Sequence, residues 1–277
     1  MIIDFHTHCF PDEIAVYAVP KLAGMAPEGI RAFLDGRLTS LLASMEKAGI
    51  AVCVVQHIAT KPKQEKTINT WAAKIQTELG PGKIYSFRTI HPETPDWRGE
   101  IKRLLDLGLK GVKFHPDYQN FFVDEKRLFP LYEELCREKL PVLFHSGVDI
   151  GLPEPCHCEP ARLRKVIETF PEGKWIAAHM GGWQRWDEVE RYLLGLRIYM
   201  DTSYCLPHIG KERMVRLIRE HGAGRILFGS DSPWADQREA VEEIVGLALS
   251  PEEKEQILGK NAAVLLELRS SKGCFPI

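Results

Sequence analysis

Short apolar runs alternate with amphipathic segments along most of the chain. The runs are rich in β-branched and aromatic residues, which favour strands, whereas the segments between them repeat apolar positions with a helical period. Beyond the first run, they recur at intervals of roughly 25 to 35 residues, the length of one strand–helix unit. The eight runs are IIDFHTH, AVCVVQ, IYSFRTI, LKGVKFHP, PVLFHSG, KWIAAHMGG, RIYMDTSY and RILFGSDSPW.

Local signals support helices between these runs. An apolar stripe with helical spacing extends from Leu38 to Met45 and is followed by Gly49, a residue typical of helix ends. Near the end of the chain, Ser250 and Glu253 have the spacing of a capping box, which predicts the start of the last helix.

Strands that alternate with helices form parallel sheets, and eight such units predict an α/β fold of the (β/α)8 TIM barrel type. We expect a single barrel domain over residues 1–277, with residues 9–37 as a long, irregular first connection. A doubly wound open sheet is the alternative, but its first strand would be followed by a glycine-rich phosphate loop. The segment HTHCFPDE has no such glycines.

Composition narrows the classes of partner. Lysine and arginine total 36 and aspartate and glutamate total 38, which gives a net charge of -2 and no general surface for nucleic acid or anionic membrane. Small-molecule substrates are therefore expected. No basic segment precedes a long apolar run, so we expect a cytoplasmic protein without a membrane span. A homo-oligomer stays open, with the tail SSKGCFPI as a segment that could dock on a neighbour.

The seven cysteines are scattered through the chain, and we expect most of them to be reduced. The stretch Cys156-His157-Cys158 carries two thiols that could bind a metal ion. No second cysteine pair with finger spacing accompanies it, so a structural zinc site is not the favoured interpretation.

Chemically capable side chains stand at the carboxyl ends of five predicted strands, where barrel enzymes place their active sites. In the first strand, alternation puts Asp4, His6 and His8 on one face. A lone histidine at a strand end is usually structural. Five strands that carry such residues to the same open end of the barrel, its mouth, favour an active site. The strand-end residues are His6, His8, Lys113, His115, His145, His179 and Asp231.

Imidazole and carboxylate groups are good ligands for zinc and also suit manganese, iron or cobalt. The candidate ligands of a divalent ion are His6, His8, His145 and Asp231, and His179 either joins them or stands beside them. An ion with an open coordination position lowers the pKa of a bound water toward about 7. Asp4 lies one layer below His6 and is expected to orient a ligand.

Five elements taken in order resemble the amidohydrolase superfamily: DFHTH, the histidine that closes the fifth strand, AHMGG, FGSDSPW and GKNAAVLL. More narrowly, they resemble its amidohydrolase-related branch, which includes aminocarboxymuconate semialdehyde decarboxylase and related hydrolases. The resemblance runs nearly from end to end. It implies His6, His8 and His145 as metal ligands, and Asp231 as a ligand that also carries a proton.

The resemblance leaves His179 and Lys113 with alternative roles. His179 is either a catalytic base beside one ion or a ligand of a second ion. Lys113 either bridges two ions as a carboxylated lysine, binds a substrate carboxylate, or forms an ion pair with Asp117 or another acid. An unmodified ammonium has no lone pair for a metal. One or two ions per chain are therefore expected, with zinc as the first choice.

Several residues near the mouth are candidates for substrate binding. Arg185 follows AHMGG and could bind a carboxylate through its planar fork, although Trp183 and Trp186 beside it could simply pack a helix on the barrel. The full set of expected substrate-binding residues is Lys113, His115, Arg185, Tyr204, His208 and Trp234.

The favoured function is a metal-dependent hydrolase that cleaves an amide, lactone or ester bond of a small molecule. The first alternative is a non-oxidative decarboxylase that uses the same metal site and a cation, Lys113 or Arg185, for the substrate carboxylate. The second is a metal-dependent nuclease of the TatD type, which also begins with His-x-His on a barrel strand. Those nucleases carry a metal-binding glutamate at the end of strand 4, where this chain has KFHPDY.

Overall fold

The computed structural model describes residues 1–27, 30–152 and 154–268. Eight strands form one sheet in chain order, and each strand pairs in parallel with the next. The strands are β1 (Ile2–Thr7), β2 (Ile50–Gln56), β3 (Ile84–Thr89), β4 (Gly111–Phe114), β5 (Val142–Phe144), β6 (Trp175–Ala177), β7 (Tyr199–Asp201) and β8 (Ile226–Leu227).

The sheet curls so that its first and last strands meet. Phe5 N donates to Phe228 O at 2.7 Å, and Asp231 N donates to His6 O at 2.8 Å. Above them, His8 N donates to Ser232 O at 2.6 Å. The predicted (β/α)8 TIM barrel is confirmed, and its closure brings the histidines of the first strand next to the aspartate that follows the last.

Helices connect the strands and cover the outside of the barrel. They are α1 (Asp12–Ala23), α2 (Leu38–Ala48), α3 (Glu65–Lys74), α4 (Trp97–Asp106), α5 (Pro116–Gln119), α6 (Phe129–Arg137), α7 (Pro160–Thr169), α8 (Trp186–Tyr192), α9 (Leu206–Ile209), α10 (Lys211–His221), α11 (Gln237–Val245), α12 (Pro251–Glu255) and α13 (Asn261–Leu265).

The first connection differs from the prediction, because residues 9–37 contain helix α1 rather than irregular chain alone. Only Ala15 and Val19 of this helix are buried, one turn apart, while Tyr17 is largely exposed. The apolar residues therefore do not form one stripe, and Pro20 in the last turn weakens the helical signal further.

Apolar side chains fill the barrel in two layers. Phe5, Val54 and Phe87 belong to the cluster inside the strands, and a larger cluster packs the strands against the helices. Phe5 and Phe87 meet edge to face with ring centroids 5.3 Å apart. The barrel is thus a packed core below its mouth rather than a pore.

The last helices close the amino-terminal end of the barrel, which we call the floor. The predicted capping box is present: Glu253 N donates to Ser250 Oγ at 3.2 Å, and Ser250 N donates to Glu253 Oε2 at 2.7 Å. Between α12 and α13 the chain forms a π-helical turn, Gln256–Lys260. Asn261 Nδ2 then donates to Ala223 O and Ile226 O, each at 2.7 Å, and ties the last helix to the start of β8.

The six cysteines within the described residues are free thiols, as expected, and Cys274 lies outside that part of the chain. The side chains of Cys156, His157 and Cys158 turn to different partners: Gly147 O, the carboxylate of Asp117, and Ser146 Oγ. They do not form a shared metal site in the structure. The tail SSKGCFPI also lies outside the described residues.

No helix in the described part of the chain is both long and apolar enough to cross a membrane.

Candidate metal centre

Three of the predicted ligands meet at the mouth of the barrel. Asp231 Oδ1 lies 3.3 Å from His8 Nε2 and 3.6 Å from His6 Nε2. The strand alternation that sets both histidines on this face turns Thr7 the other way, where its hydroxyl donates to Val54 O at 3.1 Å. A one-residue change of register would send both imidazoles into the helix layer.

The outer nitrogen of each of these rings is held by an acceptor. His6 Nδ1 lies 2.8 Å from the carboxylate of Asp201, and His8 Nδ1 lies 2.9 Å from Gln56 O. Because carboxylates and carbonyls only accept, these contacts assign the proton of each neutral ring to Nδ1. Both Nε2 lone pairs are then directed toward Asp231. Such outer hydrogen bonds orient the histidine ligands of metal ions, so the residues fit a divalent ion.

Charge states also fit metal binding. Burial and the charge of Lys113 lower the pKa of His6 to about 4, so its ring is neutral at neutral pH. Burial alone would raise the pKa of Asp231, but the neighbouring His8 and His6 outweigh it and hold the pKa at about 2. A neutral imidazole and an ionised carboxylate are the forms that ligate metal.

His145 and His179 form a second pair of facing nitrogens, with His179 Nε2 3.1 Å from His145 Nδ1. Ser203 O lies 3.0 Å from His179 Nδ1 and assigns the proton of that ring to Nδ1. On the other side of His145, Nε2 is buried, has no hydrogen-bond partner in the part of the chain that the structure describes, and faces Asp149 Oδ2 at 3.9 Å. Because His179 Nε2 keeps its lone pair, the proton of His145 lies on Nδ1 and is donated to His179, which leaves a lone pair on His145 Nε2 as a possible metal ligand.

The structure therefore divides the four predicted ligands, because His145 does not join the set formed by the other three. Two groups of possible ligands are present, and within each group the ligand atoms lie within 4.8 Å of one another. The first group is His6, His8 and Asp231, and the second is His115, His145 and Asp149.

In the second group, His115 has no free lone pair to offer a metal ion. Tyr118 N donates to His115 Nδ1 at 3.3 Å, which assigns the His115 proton to Nε2. That nitrogen lies 3.2 Å from Asp149 Oδ2, so its N–H faces the carboxylate. His115 also stacks on His145, with ring centroids 4.1 Å apart. His115 therefore packs against the ring of His145. Its expected contact with substrate stays a prediction.

Lys113 is completely buried at the end of β4, and its Nζ lies 3.4 Å from His6 Nε2. Burial lowers the pKa of Lys113 to about 8. Of the acids considered for an ion pair with Lys113, Asp117 is not its partner, because Asp117 accepts from His157 Nδ1 at 2.9 Å instead. Lys113 thus points into the candidate metal centre, where it can bind a substrate carboxylate or, when carboxylated, bridge two ions.

Asp201, at the end of β7, is a central site residue that the sequence analysis missed. Its Oδ1 accepts from the backbone of His179 at 3.0 Å and from Ser203 Oγ at 2.5 Å, while Oδ2 accepts from His6. One carboxylate thereby connects the first and sixth strands. Its position within the run RIYMDTSY, directly after the apolar residues, was a usable signal, because polar residues in the same position identified the other strand ends.

Asp4 does not orient a histidine ring, contrary to expectation. Its carboxylate accepts from Ser230 N at 2.9 Å and from Gln237 Nε2 at 2.8 Å, so it braces the connection between β8 and α11. Its contact with His6 is through the backbone N–H at 3.3 Å. Asp201 instead has the orienting role that was expected of Asp4.

The backbone is left-handed at several of these positions. His179, Tyr204 and Asp231 have φ of 58°, 54° and 71°, a region that residues other than glycine seldom adopt. Such conformations are sustained where surrounding contacts enforce them, and they concentrate at functional sites.

The remaining candidates lie around this centre. The guanidinium of Arg185 is paired with two acids, Glu154 at 2.6 Å and Glu188 at 3.7 Å.

A cavity of about 280 Å³ lies beside the mouth, between the segments that follow β7 and β8. Three of the predicted substrate-binding residues line it: Tyr204, His208 and Trp234.

Comparison with known proteins adds a family match and several similar structures. A family model described as amidohydrolase matches residues 3–268. A search of curated proteins found none that matches. Among solved structures, a dihydroxybenzoic acid decarboxylase from Polaromonas sp. JS666, with bound manganese and the inhibitor 2-nitroresorcinol, is 17% identical with a TM-score of 0.74. The alignment covers 96% of this chain and 97% of that one.

Two further structures are similar over the same extent. A 2,6-dihydroxybenzoate decarboxylase in complex with 2,6-dihydroxybenzoate is 18% identical, with a TM-score of 0.73 and coverage of 96% of this chain and 99% of that chain. The 5-carboxyvanillate decarboxylase from Sphingomonas paucimobilis is 14% identical, with a TM-score of 0.71 and coverage of 96% and 98%. At these identities the similarity establishes the fold.

Proposed function

Because this chain belongs to the amidohydrolase family, we propose that it is a metal-dependent enzyme, acting as one barrel domain, that removes CO2 from a hydroxylated aromatic acid without oxidation. The sequence patterns favoured a hydrolase, and a decarboxylase was the first alternative. The similar structures named above include three decarboxylases, which supports the alternative over the first choice.

One observation carries the proposal: His6, His8 and Asp231 converge, and acceptors on the outer nitrogens direct both imidazole lone pairs toward the carboxylate. These residues would hold the ion, with His145 as the next donor. The set suits zinc, the ion expected from the sequence, and manganese, the ion present in the Polaromonas enzyme. When bound, a divalent ion supplies positive charge that holds an anionic substrate and withdraws electrons from it.

The residues around the ion carry the proton. Asp231 accepts the proton of the hydroxyl next to the substrate carboxylate and passes it to the ring carbon that bears that carboxylate. The bond between this carbon and the carboxylate then breaks, its electron pair returns to the ring, and CO2 leaves. His179 faces the same space from the sixth strand and is the second group able to carry this proton.

Two features position the substrate in this proposal. Lys113 lies next to His6 and supplies a second positive charge for the carboxylate, since Arg185 is already paired with Glu154 and Glu188. The aromatic side chains of Tyr204 and Trp234 line the cavity beside the mouth and suit the ring of the substrate.

The test is to load the purified protein with Zn²⁺ or Mn²⁺ and incubate it with 2,6-dihydroxybenzoate, 5-carboxyvanillate, and a set of lactones and esters. We expect CO2 release from a hydroxylated acid, loss of that release on chelation, and recovery when the ion returns. Ring opening or ester cleavage without CO2 from any hydroxylated acid would refute decarboxylation.

Hydrolysis is the second candidate, and one observation favours it. Lys113 lies beside His6, and the facing nitrogens of His145 and His179 are 3.1 Å apart, an arrangement that two ions bridged by a carboxylated lysine would use. Metal analysis separates the cases: one ion per chain fits the decarboxylase mechanism above, whereas two ions and a carboxylated Lys113 favour a hydrolase. The nuclease alternative gains no support from the family match or from the similar structures named above.

A further inference from the structure

Three buried tryptophans lie around β6, and they differ in whether the indole N–H has a hydrogen-bond partner. Trp175 Nε1 donates to Phe170 O at 2.8 Å, and Trp186 Nε1 donates to His179 O at 3.2 Å. Trp183 is only 4% exposed, yet its Nε1 has no hydrogen-bond partner among the described residues. Leaving a buried donor unsatisfied costs about 1 to 3 kcal/mol, so this one calls for an explanation.

Trp183 borders the candidate metal centre. Its ring centroid is 6.3 Å from that of His179, the proton-carrying candidate on the sixth strand. Two other rings lie on it, Tyr204 at 5.3 Å and His208 at 4.6 Å. His208 is exposed and Tyr204 is partly exposed, and both line the cavity beside the mouth, so these two rings lie between that cavity and the indole.

The backbone holds Trp183 in a fixed position. Its N–H donates to Ser146 O at 2.8 Å, and Val148 N donates to its carbonyl at 3.0 Å, which joins it to the loop that follows His145. Gly147 makes this approach feasible, because a Cβ there would lie 2.1 Å from Trp183 N. The indole is therefore preorganised relative to His145 and His179.

We propose that the indole N–H of Trp183 is a substrate-recognition donor that binds an oxygen of the aromatic acid. This inference rests on the proposed function and names a residue that determines its specificity. An indole N–H can only donate, so its ligand must offer an acceptor such as a hydroxyl, carbonyl or carboxylate oxygen. The surrounding rings favour a planar aromatic ligand, which reaches the indole from the adjoining cavity when the exposed ring of His208 moves aside.

The test is Trp183→Phe, which removes the N–H and keeps an aromatic ring. In the metal-loaded protein we expect binding of 2,6-dihydroxybenzoate, measured by calorimetry, to weaken about tenfold, the value of one hydrogen bond. The melting temperature should fall less than in Trp175→Phe, because both variants lose the same ring volume but Trp183→Phe removes no hydrogen bond recorded among the described residues. Metal content, measured in parallel, should also be unchanged.

Trp175→Phe is the matched control, since its indole N–H is bonded within the protein to Phe170 O. This variant should lower the melting temperature by about 2 to 4 °C and leave ligand affinity unchanged. If Trp183→Phe behaves in the same way, its N–H is structural and the proposal is overturned.

Benzoate identifies the accepting oxygen. Equal weakening for benzoate and 2,6-dihydroxybenzoate supports a bond to the carboxylate, and weakening for the dihydroxy acid alone supports a bond to a ring hydroxyl. A wild-type protein that binds the acid through Trp183 without releasing CO2 would refute decarboxylation and still support the donor role. A wild-type protein that binds neither acid overturns the Trp183 proposal.

Discussion

The two ends of the barrel differ in how they satisfy buried polar groups. At the floor, Asn261 donates to two backbone carbonyls, and His221 donates to Ile198 O at 2.7 Å while accepting from Gly195 N at 3.3 Å. At the mouth, Lys113 Nζ has only a long contact of 3.4 Å with His6 Nε2, and the buried Nε2 of His145 has no partner within the described ranges.

The close packing of the floor differs from the strained backbone of the mouth. Gly259 brings the chain so close to the first strand that a Cβ would lie 2.1 Å from Met1 O. By contrast, His179, Tyr204 and Asp231 adopt left-handed conformations at the mouth. Unpaired polar groups and strained residues reduce stability but leave groups available to bind a ligand. Substitutions at the mouth should therefore change function more than stability, and those at the floor should do the reverse.

The largest effect is expected from Asp231→Asn. The amide keeps the size of the side chain but can neither carry the proton nor bind a divalent ion as strongly, so turnover should fall about a thousandfold or more. Circular dichroism and the melting temperature should show that the barrel still folds. Full activity in a folded variant would contradict the site assignment.

At the floor, Asn261→Ala should cost about 3 kcal/mol of unfolding free energy, because it leaves the carbonyls of Ala223 and Ile226 without their donor. Urea unfolding measures the loss. Activity per folded molecule should be unchanged below the transition. A comparable loss of turnover in the folded variant would show that floor and mouth are not independent.

Asp201→Asn tests the link between the first and sixth strands. The amide is a weaker acceptor for His6 Nδ1–H, so metal affinity should fall about 10- to 100-fold, as measured by competition with a chelator. Asp4→Asn is the matched control one layer below, where a buried carboxylate bonds Ser230 and Gln237 instead. The control should lose stability and keep its metal affinity; equal losses of affinity in both variants would argue against a specific role for Asp201.

The smallest expected effect is the contribution of His221 to the pH dependence of stability. Burial lowers the pKa of His221 from 6.5 to about 4, so below pH 6.5 the unfolded chain binds a proton that the folded protein rejects. Stability should fall with acidification through this window, by about 2 kcal/mol between pH 7 and pH 5 from this residue alone. His221→Gln should remove that part of the pH dependence of urea unfolding, and an unaltered pH dependence would show that His221 does not contribute.

Much of the fold was accessible from the sequence. Strand and helix periods, the stop at Gly49 and the capping box at Ser250 depend on neighbours within a few residues, so local patterns determine them. The seven strand-end candidates followed from the rule that the carboxyl ends of parallel strands share one edge. Helix α1 was missed because its buried residues, Ala15 and Val19, are too few to form a recognisable stripe.

Only the tertiary structure determined how those strand ends interact. His6 and Asp201 are 195 residues apart, and their hydrogen bond depends on closure of the barrel and on the register of its strands. The same holds for the pairing of His145 with His179, for the burial of Lys113 beside His6, and for the unpartnered indole of Trp183. Sequence periodicity assigns a side chain to a face, but distances between faces arise only when the whole sheet curls and closes.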